Sequence, residues 1–179
     1  MSDVTVWQQP TVVVVTGLPG TGKSTLAEGI AKAARAPAFS VDWLLGAIAP
    51  SGVLSGAARP VVRGVYEGLL SSLLTRQLML GQSAVLDTIA SDDIIEAWSS
   101  ITYQYDGRLV TVEGVCSDET VHRSRVEGRR RNIPGWHEID WSHVEFMKKE
   151  IEPLTVPRFT VDAIHPAASN LSAVLRHIG

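Results

Sequence analysis

The sequence is poor in cysteine and has no long apolar run, and each shortage argues against a class of protein. Its single cysteine, Cys116, cannot form an intramolecular disulfide, so nothing indicates a secreted disulfide scaffold. No apolar run approaches the roughly 18 residues that a membrane-spanning helix needs. The segment Met1–Pro10 lacks the basic and apolar layout of a signal peptide. We therefore expect a cytoplasmic protein without a membrane anchor.

A large excess of positive charge is also missing. The chain has 16 basic and 19 acidic residues, a formal net charge of −3 and a pI of about 5.9. This balance argues against a surface that binds nucleic acid everywhere, although it leaves room for a local basic groove. A length of 179 residues with 45% hydrophobic content fits one domain, residues 1–179, with its own core.

One stretch of eight residues, GLPGTGKS at 17–24, fits the pattern G-x-x-x-x-G-K-[ST] at every fixed position. A β-branched run at 11–16 precedes it and is typical of a strand buried on both faces. Apolar residues at helical spacing follow it. Glycines let backbone N–H groups approach an anion, and a helix N-terminus adds free N–H groups. The stretch is therefore predicted to bind a nucleotide through Gly17, Pro19, Gly20, Thr21, Gly22, Lys23, Ser24 and Thr25.

Two side chains of this phosphate loop, residues 17–24, have more specific predicted roles. Lys23 places an ammonium charge on the β- and γ-phosphates, and the hydroxyl of Ser24 is a ligand for Mg²⁺. The loop therefore predicts binding of a nucleoside triphosphate with Mg²⁺. No Cys/His cluster indicates zinc, and no Ser-His-Asp arrangement is visible.

Predicted strands alternate with predicted helices along the chain, which indicates a mainly parallel sheet with helices on both faces. The longest helix, about 59–80, is predicted to turn one side inward through Val62, Val65, Leu69, Leu73 and Leu80. In such a sheet, ligands bind beyond the carboxyl ends of the strands. The five predicted strands cover residues 11–16, 38–41, 83–87, 108–115 and 158–162.

Two aspartates follow or end predicted strands at that edge. Asp42 comes just after the second strand, where it is either a general base for an attacking hydroxyl or the N-cap of the next short helix. Asp87 ends the third strand, where it either holds Mg²⁺ or the acceptor, or caps a neighbouring loop. For Asp87 the functional interpretation is favoured, because a phosphate loop needs a metal partner from an adjacent strand.

The segment at about 123–139 is predicted to be a lid. Arg125 and Arg129 lie four residues apart, so on a continuous helix they face the same way. Gly128 and the Pro134-Gly135 turn bound the segment as hinges would. The alternative is a solvated basic face. The predicted helix carries little apolar surface and five arginines, at positions 123, 125, 129, 130 and 131.

In order and spacing, these motifs resemble the small P-loop kinases of the AAA ATPase type, in particular polynucleotide kinases, chloramphenicol phosphotransferases and zeta toxins. The resemblance implies a three-layer α-β-α P-loop NTPase fold with a lid, and transfer of the γ-phosphate of ATP to an alcohol. It implies that Asp42 is the base, that Lys23, Arg125 and Arg129 act in catalysis, and that Arg125 also contacts the nucleotide. The residues that carry it are 17–25, 39–42, 85–87, 123–131 and 161–162.

One position departs from the polynucleotide kinases, which carry an arginine three residues after the base aspartate, where this chain has Leu45. That difference disfavours nucleic acid as the acceptor. The leading hypothesis is therefore a kinase for a nucleoside, an antibiotic or a sugar-like metabolite. The alternatives are a 5′-hydroxyl polynucleotide kinase and a regulatory ATPase that controls a protein partner.

Overall fold

The fold was analysed in a computed structural model that describes residues 7–179. Residues 1–6, on which most of the signal-peptide argument depends, lie outside the described residues. The strands are β1 Thr11–Thr16, β2 Ala38–Ser40, β3 Ala84–Asp87, β4 Arg108–Val115 and β5 Phe159–Asp162. The helices are α1 Lys23–Ala34, α2 Val41–Ile48, α3 Arg59–Met79, α4 Asp92–Gln104, α5 Glu119–Gly128, α6 Trp141–Glu150 and α7 Ala167–Ile178, with a short 3₁₀ turn at Ala49–Ser51.

The five strands form one parallel sheet in the order β2-β3-β1-β4-β5, which confirms the predicted fold class. The strand β1 lies at its centre: the chain runs from β1 to the edge strand β2, returns to β3, and then crosses β1 to reach β4 on its other side. Pairing of Val15 with Asp87 and of Thr16 with Glu113 brings the carboxyl ends of these three strands to one level. The phosphate loop, Asp87 and the end of β4 therefore share one edge of the sheet.

Side chains on the two faces of β1 enter two separate cores. Val12 and Val14 pack with α3 and α4, whereas Val13 and Val15 pack with α1 and α7. All four are 0% exposed, as expected of a parallel strand covered on both faces. Burial of one such side chain contributes about 1.5–3 kcal/mol, so these cores hold the sheet edge that carries the site rigidly in place.

The long helix α3 is buried along a stripe whose centre differs from the predicted one, although Val62 of the predicted set packs half-buried against the core. The buried residues are Leu70, Leu74 and Leu78, spaced four apart, while Leu80 is exposed. Leucines stand at both 69–70 and 73–74, so the apolar face is wide and its centre was ambiguous. Contact with the sheet places that centre one residue further along the chain.

The helices α5 and α6, with the irregular segment 129–140 between them, contain the stretch 123–139 that is predicted to be a lid, and this region is called the lid below. Their own core is small and consists of Val126, Trp141 and Val144, with Ile139 packed against it. Each helix has an aspartate N-cap: Asp118 accepts the N–H of Val121 at 2.9 Å, and Asp140 that of His143 at 2.9 Å. Among the described residues, no helix has both the length and the apolar composition that crossing a bilayer requires.

Candidate active site

The phosphate loop leaves β1 through Gly17 and enters α1 at Lys23. Gly17 has φ of +136°, and a Cβ there would lie 2.2 Å from the carbonyl oxygen of Gly114 on β4. Only glycine fits this approach between loop and strand. Inside the loop, the hydroxyl of Thr21 donates to the carbonyl oxygen of Leu18 at 2.8 Å. The N-cap of α1 is Gly22 and has no side-chain cap, so the first N–H groups of the helix are available to an anion.

Lys23 is the buried cation of the site. Its side chain is 6% exposed, and burial lowers its pKa from the usual value. The carboxylates of Asp87 and Asp42 oppose that shift, while Arg129 and Arg131 reinforce it. A buried ammonium with so few neutralising partners is a strong site for a multivalent anion.

Asp87 lies beside it, at the carboxyl end of β3. The residue is 6% exposed, and its Oδ1 has no hydrogen-bond partner among residues 7–179. Buried polar atoms normally have such a partner. The sequence left open that Asp87 caps a neighbouring loop, but no such contact is seen for this oxygen. It is therefore free to accept a ligand.

Asp42 lies in the first turn of α2, and its N-cap role is not seen. The N-cap of α2 is Ser40, without a side-chain bond. The carboxylate of Asp42 instead forms a salt bridge through Oδ2 with Nη1 of Arg131. Ser40 pairs with Asp87 across β2 and β3, so the two aspartates stand at neighbouring strand ends.

The arginines of the lid divide into an exposed and a buried group. The helix α5 ends at Gly128, and Arg129 follows in extended backbone, so the expectation that Arg125 and Arg129 share one helical face is wrong. Arg125 is exposed on α5. Arg129 turns inward, and burial, together with Arg131, lowers its pKa against the opposing effect of Asp42.

The buried guanidinium groups have unused donors. Nε and Nη2 of both Arg129 and Arg131 are buried without a hydrogen-bond partner in the described part of the chain. The backbone N–H of Arg131 donates to Oε1 of Glu138 at 2.8 Å, which closes the irregular segment of the lid into a loop. The lid therefore presents two guanidinium groups with free N–H donors to the phosphate-loop side of the sheet.

Sequence reasoning missed two of these residues as parts of the site. Arg131 was only one of five arginines in a predicted helix, and nothing local distinguishes it from Arg130, which is exposed. Glu138 is one of many charged residues. Their roles depend on how the chain folds back after Gly128, which periodicity cannot predict.

The cluster fits a magnesium-bound triphosphate. Three cations, Lys23, Arg129 and Arg131, face two carboxylates, Asp42 and Asp87. Mg²⁺ in phosphoryl-transfer sites uses one or two carboxylates, substrate phosphates and waters. The free oxygen of Asp87 suits that ligand set, and within residues 7–179 no group of three His, Cys, Asp or Glu side chains forms a complete protein metal site. Ser24 is half-buried and Thr25 exposed at the start of α1.

A cavity of about 220 Å³ lies between the start of the phosphate loop and the segment after α6. Its walls include Gly17, Leu18, Ala90, Lys148 and Leu154, but not Lys23, Asp42 or Asp87. It is thus separate from the charged cluster.

Comparisons with known proteins agree with this architecture. A family model described as an AAA domain matches residues 12–154, which is most of the chain. No curated protein matches the sequence. A kinase candidate from Chloroflexus aurantiacus has a similar structure, with 22% identity, a TM-score of 0.70 and coverage of 95% of this chain and 99% of that one.

Two further solved structures share the fold. A gluconokinase from Sinorhizobium meliloti is 20% identical with a TM-score of 0.70, over 95% of this chain and 91% of that one. The APS kinase of Mycobacterium tuberculosis, solved with AMPPNP and APS, is 14% identical with a TM-score of 0.65, over 94% and 96% of the two chains. The finer resemblance to polynucleotide kinases, chloramphenicol phosphotransferases and zeta toxins stays a prediction.

Proposed function

The chain belongs to the AAA domain family, and we propose that it is an ATP-dependent kinase that transfers the γ-phosphate to a hydroxyl of a small molecule. The observation that carries the proposal is one cluster at the carboxyl edge of the sheet. There a buried ammonium, two guanidinium groups with unused donors and two carboxylates surround the phosphate loop. Positioning and electrostatic stabilisation of this kind are what phosphoryl transfer requires.

The phosphate loop and Lys23 would bind the triphosphate. Backbone N–H groups at the start of α1 face the anion, and the ammonium group of Lys23 neutralises the β- and γ-phosphates. Ser24 and Asp87 are the residues that would hold Mg²⁺, which supplies Lewis-acid stabilisation of charge when bound. The unpartnered Oδ1 of Asp87 supports this assignment.

Asp42 would take the proton of the acceptor hydroxyl, since it is the carboxylate beside the loop that is not assigned to the metal. Arg131 bonds one of its oxygens, which orients the carboxylate and leaves the other oxygen for the acceptor. Because Nε and Nη2 of Arg131 remain free, its guanidinium can also contact a transferring phosphoryl group. Arg129, with the same two atoms free, would stabilise charge on that group.

The position of the missing arginine, Leu45, is buried in the apolar core with Val12 and Val14. In this chain the guanidinium group at the base aspartate comes from Arg131 of the lid, 89 residues further along. The proposed acceptor site therefore contains both Asp42 and Arg131 only when the lid lies against α2. Contact of the two is close: a Cβ at Gly46 would lie 2.6 Å from the carbonyl oxygen of Pro134.

A small acceptor is favoured over a nucleic acid by the net charge of −3. The names of the structural neighbours, a gluconokinase and an APS kinase, also support a small molecule. Nucleosides, antibiotics and sugar-like metabolites remain the acceptor classes to test.

The test is transfer of γ-labelled phosphate from ATP to a panel of nucleosides, aminoglycosides, phenicols, sugars, sugar acids and short 5′-hydroxyl oligonucleotides. We expect a labelled small product that requires Mg²⁺. Labelling of oligonucleotides alone, with salt-sensitive binding, would instead establish a polynucleotide kinase. Hydrolysis that rises with a protein partner, without any labelled product, would establish a regulatory ATPase.

A further inference from the structure

His122 of α5 stands outside the charged cluster but touches the phosphate loop. It is 2% exposed, and its Nε2 lies 2.8 Å from the carbonyl oxygen of Pro19, 103 residues away in sequence. Trp141 of α6 packs edge-on against its ring at a centroid distance of 5.1 Å. The helix α5 thus contacts the phosphate loop through this imidazole, and α6 packs against the same ring.

The chemistry of the contact determines which nitrogen carries the proton. A carbonyl oxygen only accepts, so Nε2 must be the donor. Burial lowers the pKa of His122, opposed by the bond to Pro19. The nearby charges are Lys148 and Arg125, which lower the pKa further, and Glu119, which raises it. The ring is therefore neutral near pH 7, and its single N–H is the one that Pro19 uses.

Fixing the carbonyl of Pro19 also fixes the N–H of Gly20. The Pro19–Gly20 peptide is trans, like every peptide bond of the described residues. In a planar trans peptide, the C=O and the N–H point in opposite directions. The bond from His122 therefore turns the N–H of Gly20 away from α5 and into the loop. A flipped peptide would present a carbonyl oxygen to an anion in the loop, which repels it.

Packing reinforces the same orientation. Gly20 has φ of +89°, and a Cβ there would lie 2.5 Å from Cγ2 of Val126 and 3.0 Å from Cδ2 of His122. The loop therefore lies directly against α5, with no room for a side chain between them. Val126 is also part of the small core of the lid. The same side chain therefore packs both against the phosphate loop and inside the lid.

We propose that His122 is a positioning residue for the nucleotide: its Nε2–H holds the Pro19–Gly20 peptide so that the N–H of Gly20 faces the phosphates. Because this hydrogen bond joins α5 to the phosphate loop, the position of the lid and the conformation of the loop depend on each other. The proposal rests on the proposed function only in that the loop binds MgATP.

Three substitutions separate hydrogen bonding from packing. His122→Gln keeps an N–H donor near the position of Nε2, His122→Asn places its donor nearer the backbone, and His122→Leu removes it. The control is His177→Gln, an exposed histidine in the last turn of α7. Each full-length variant is titrated with MgATP by calorimetry at neutral pH, and its thermal unfolding is measured.

We expect the Asn and Leu variants to bind MgATP about tenfold more weakly, since a lost hydrogen bond and a misdirected amide each weaken binding. The Gln variant stays within about threefold of the unchanged protein, as does the control, and rescue at equal melting temperature excludes a merely structural effect. If the Leu variant does not fold, the contrast between Gln and Asn decides. Equal binding by the Gln and Asn variants would overturn the role of His122, whereas absence of MgATP binding by the unchanged protein would overturn the proposed function itself.

Discussion

The sheet with its phosphate loop and the lid are held by different kinds of interaction. The sheet has two dense apolar cores in which the central valines are 0% exposed. The lid has a core of three residues, Val126, Trp141 and Val144. Trp136 packs against the core below β1, and two polar contacts also join the lid to the rest of the molecule: His122 to Pro19, and Arg131 to Asp42.

The difference indicates that the two regions have separate roles in the proposed site. Lys23, which is proposed to bind the phosphates, belongs to the part with the two dense cores. Residues that complete the site, such as Arg129 and Arg131, belong to the part with few apolar contacts, and regions of that kind open locally at low free-energy cost. We infer that nucleotide affinity depends mainly on the sheet edge and that transfer depends on both regions.

The largest expected effect comes from removing the proposed base, Asp42. Asp42→Asn should lower phosphate transfer by about 10³-fold, because general base catalysis contributes about 10²–10⁴. MgATP affinity should stay within a few-fold, since Asp42 is proposed to act on the acceptor and not on the nucleotide. Initial rates and calorimetry measure the two quantities, with Asp93→Asn, an exposed acid of α4, as the control. Transfer at an unchanged rate would remove Asp42 from the mechanism.

A pair of arginine substitutions tests the division within the lid. Arg129→Met should lower kcat by about 100-fold, as expected for loss of a donor that stabilises developing charge. Arg125→Met, on the exposed face of α5, should change kcat by less than about twofold. Steady-state kinetics on both variants decide the matter. Equal losses of kcat in the two variants would instead support the sequence-based prediction that Arg125 and Arg129 act together in catalysis.

Core truncations should separate the stabilities of the two regions. Leu74→Ala, in the core under β1, should lower the free energy of unfolding by about 2–5 kcal/mol. Val144→Ala removes a side chain from the core of the lid and should cost about 1.5 kcal/mol there. Hydrogen exchange should then accelerate in α5 and α6 while the amides of β1 keep their protection. Acceleration throughout the sheet would show that lid and sheet unfold as one unit.

The smallest effect is a pH dependence that arises at the junction of the two regions. Because burial lowers the pKa of His122, the folded state binds fewer protons than the unfolded chain below about pH 6.5. The free energy of unfolding should therefore fall as the pH drops from about 7 to 5. In the His122→Gln variant this component should be absent. Denaturant titrations at several pH values measure it, and identical slopes for both proteins would contradict it.

The same contrast explains what could be predicted from the sequence. The strands, the phosphate loop and Asp87 follow from local patterns, and β4 has the predicted bounds, Arg108–Val115. The position of the lid against the phosphate loop does not follow from local patterns. It depends on His122 and Arg131, whose partners lie 103 and 89 residues away in the sequence. Gly128 was predicted to be a hinge, but the helix was expected to continue through Arg129–Arg131, since charged residues follow Gly128 without a change of period.

The most direct test of the central claim is calorimetric titration of the full-length chain with ATP, with and without Mg²⁺, beside a Lys23→Ala variant. The account predicts binding that requires Mg²⁺ and is weakened at least about tenfold in the variant. The reason is that the buried ammonium group of Lys23 is the main positive charge that the account places against the triphosphate. Absence of binding, or equal binding by the variant, would contradict it.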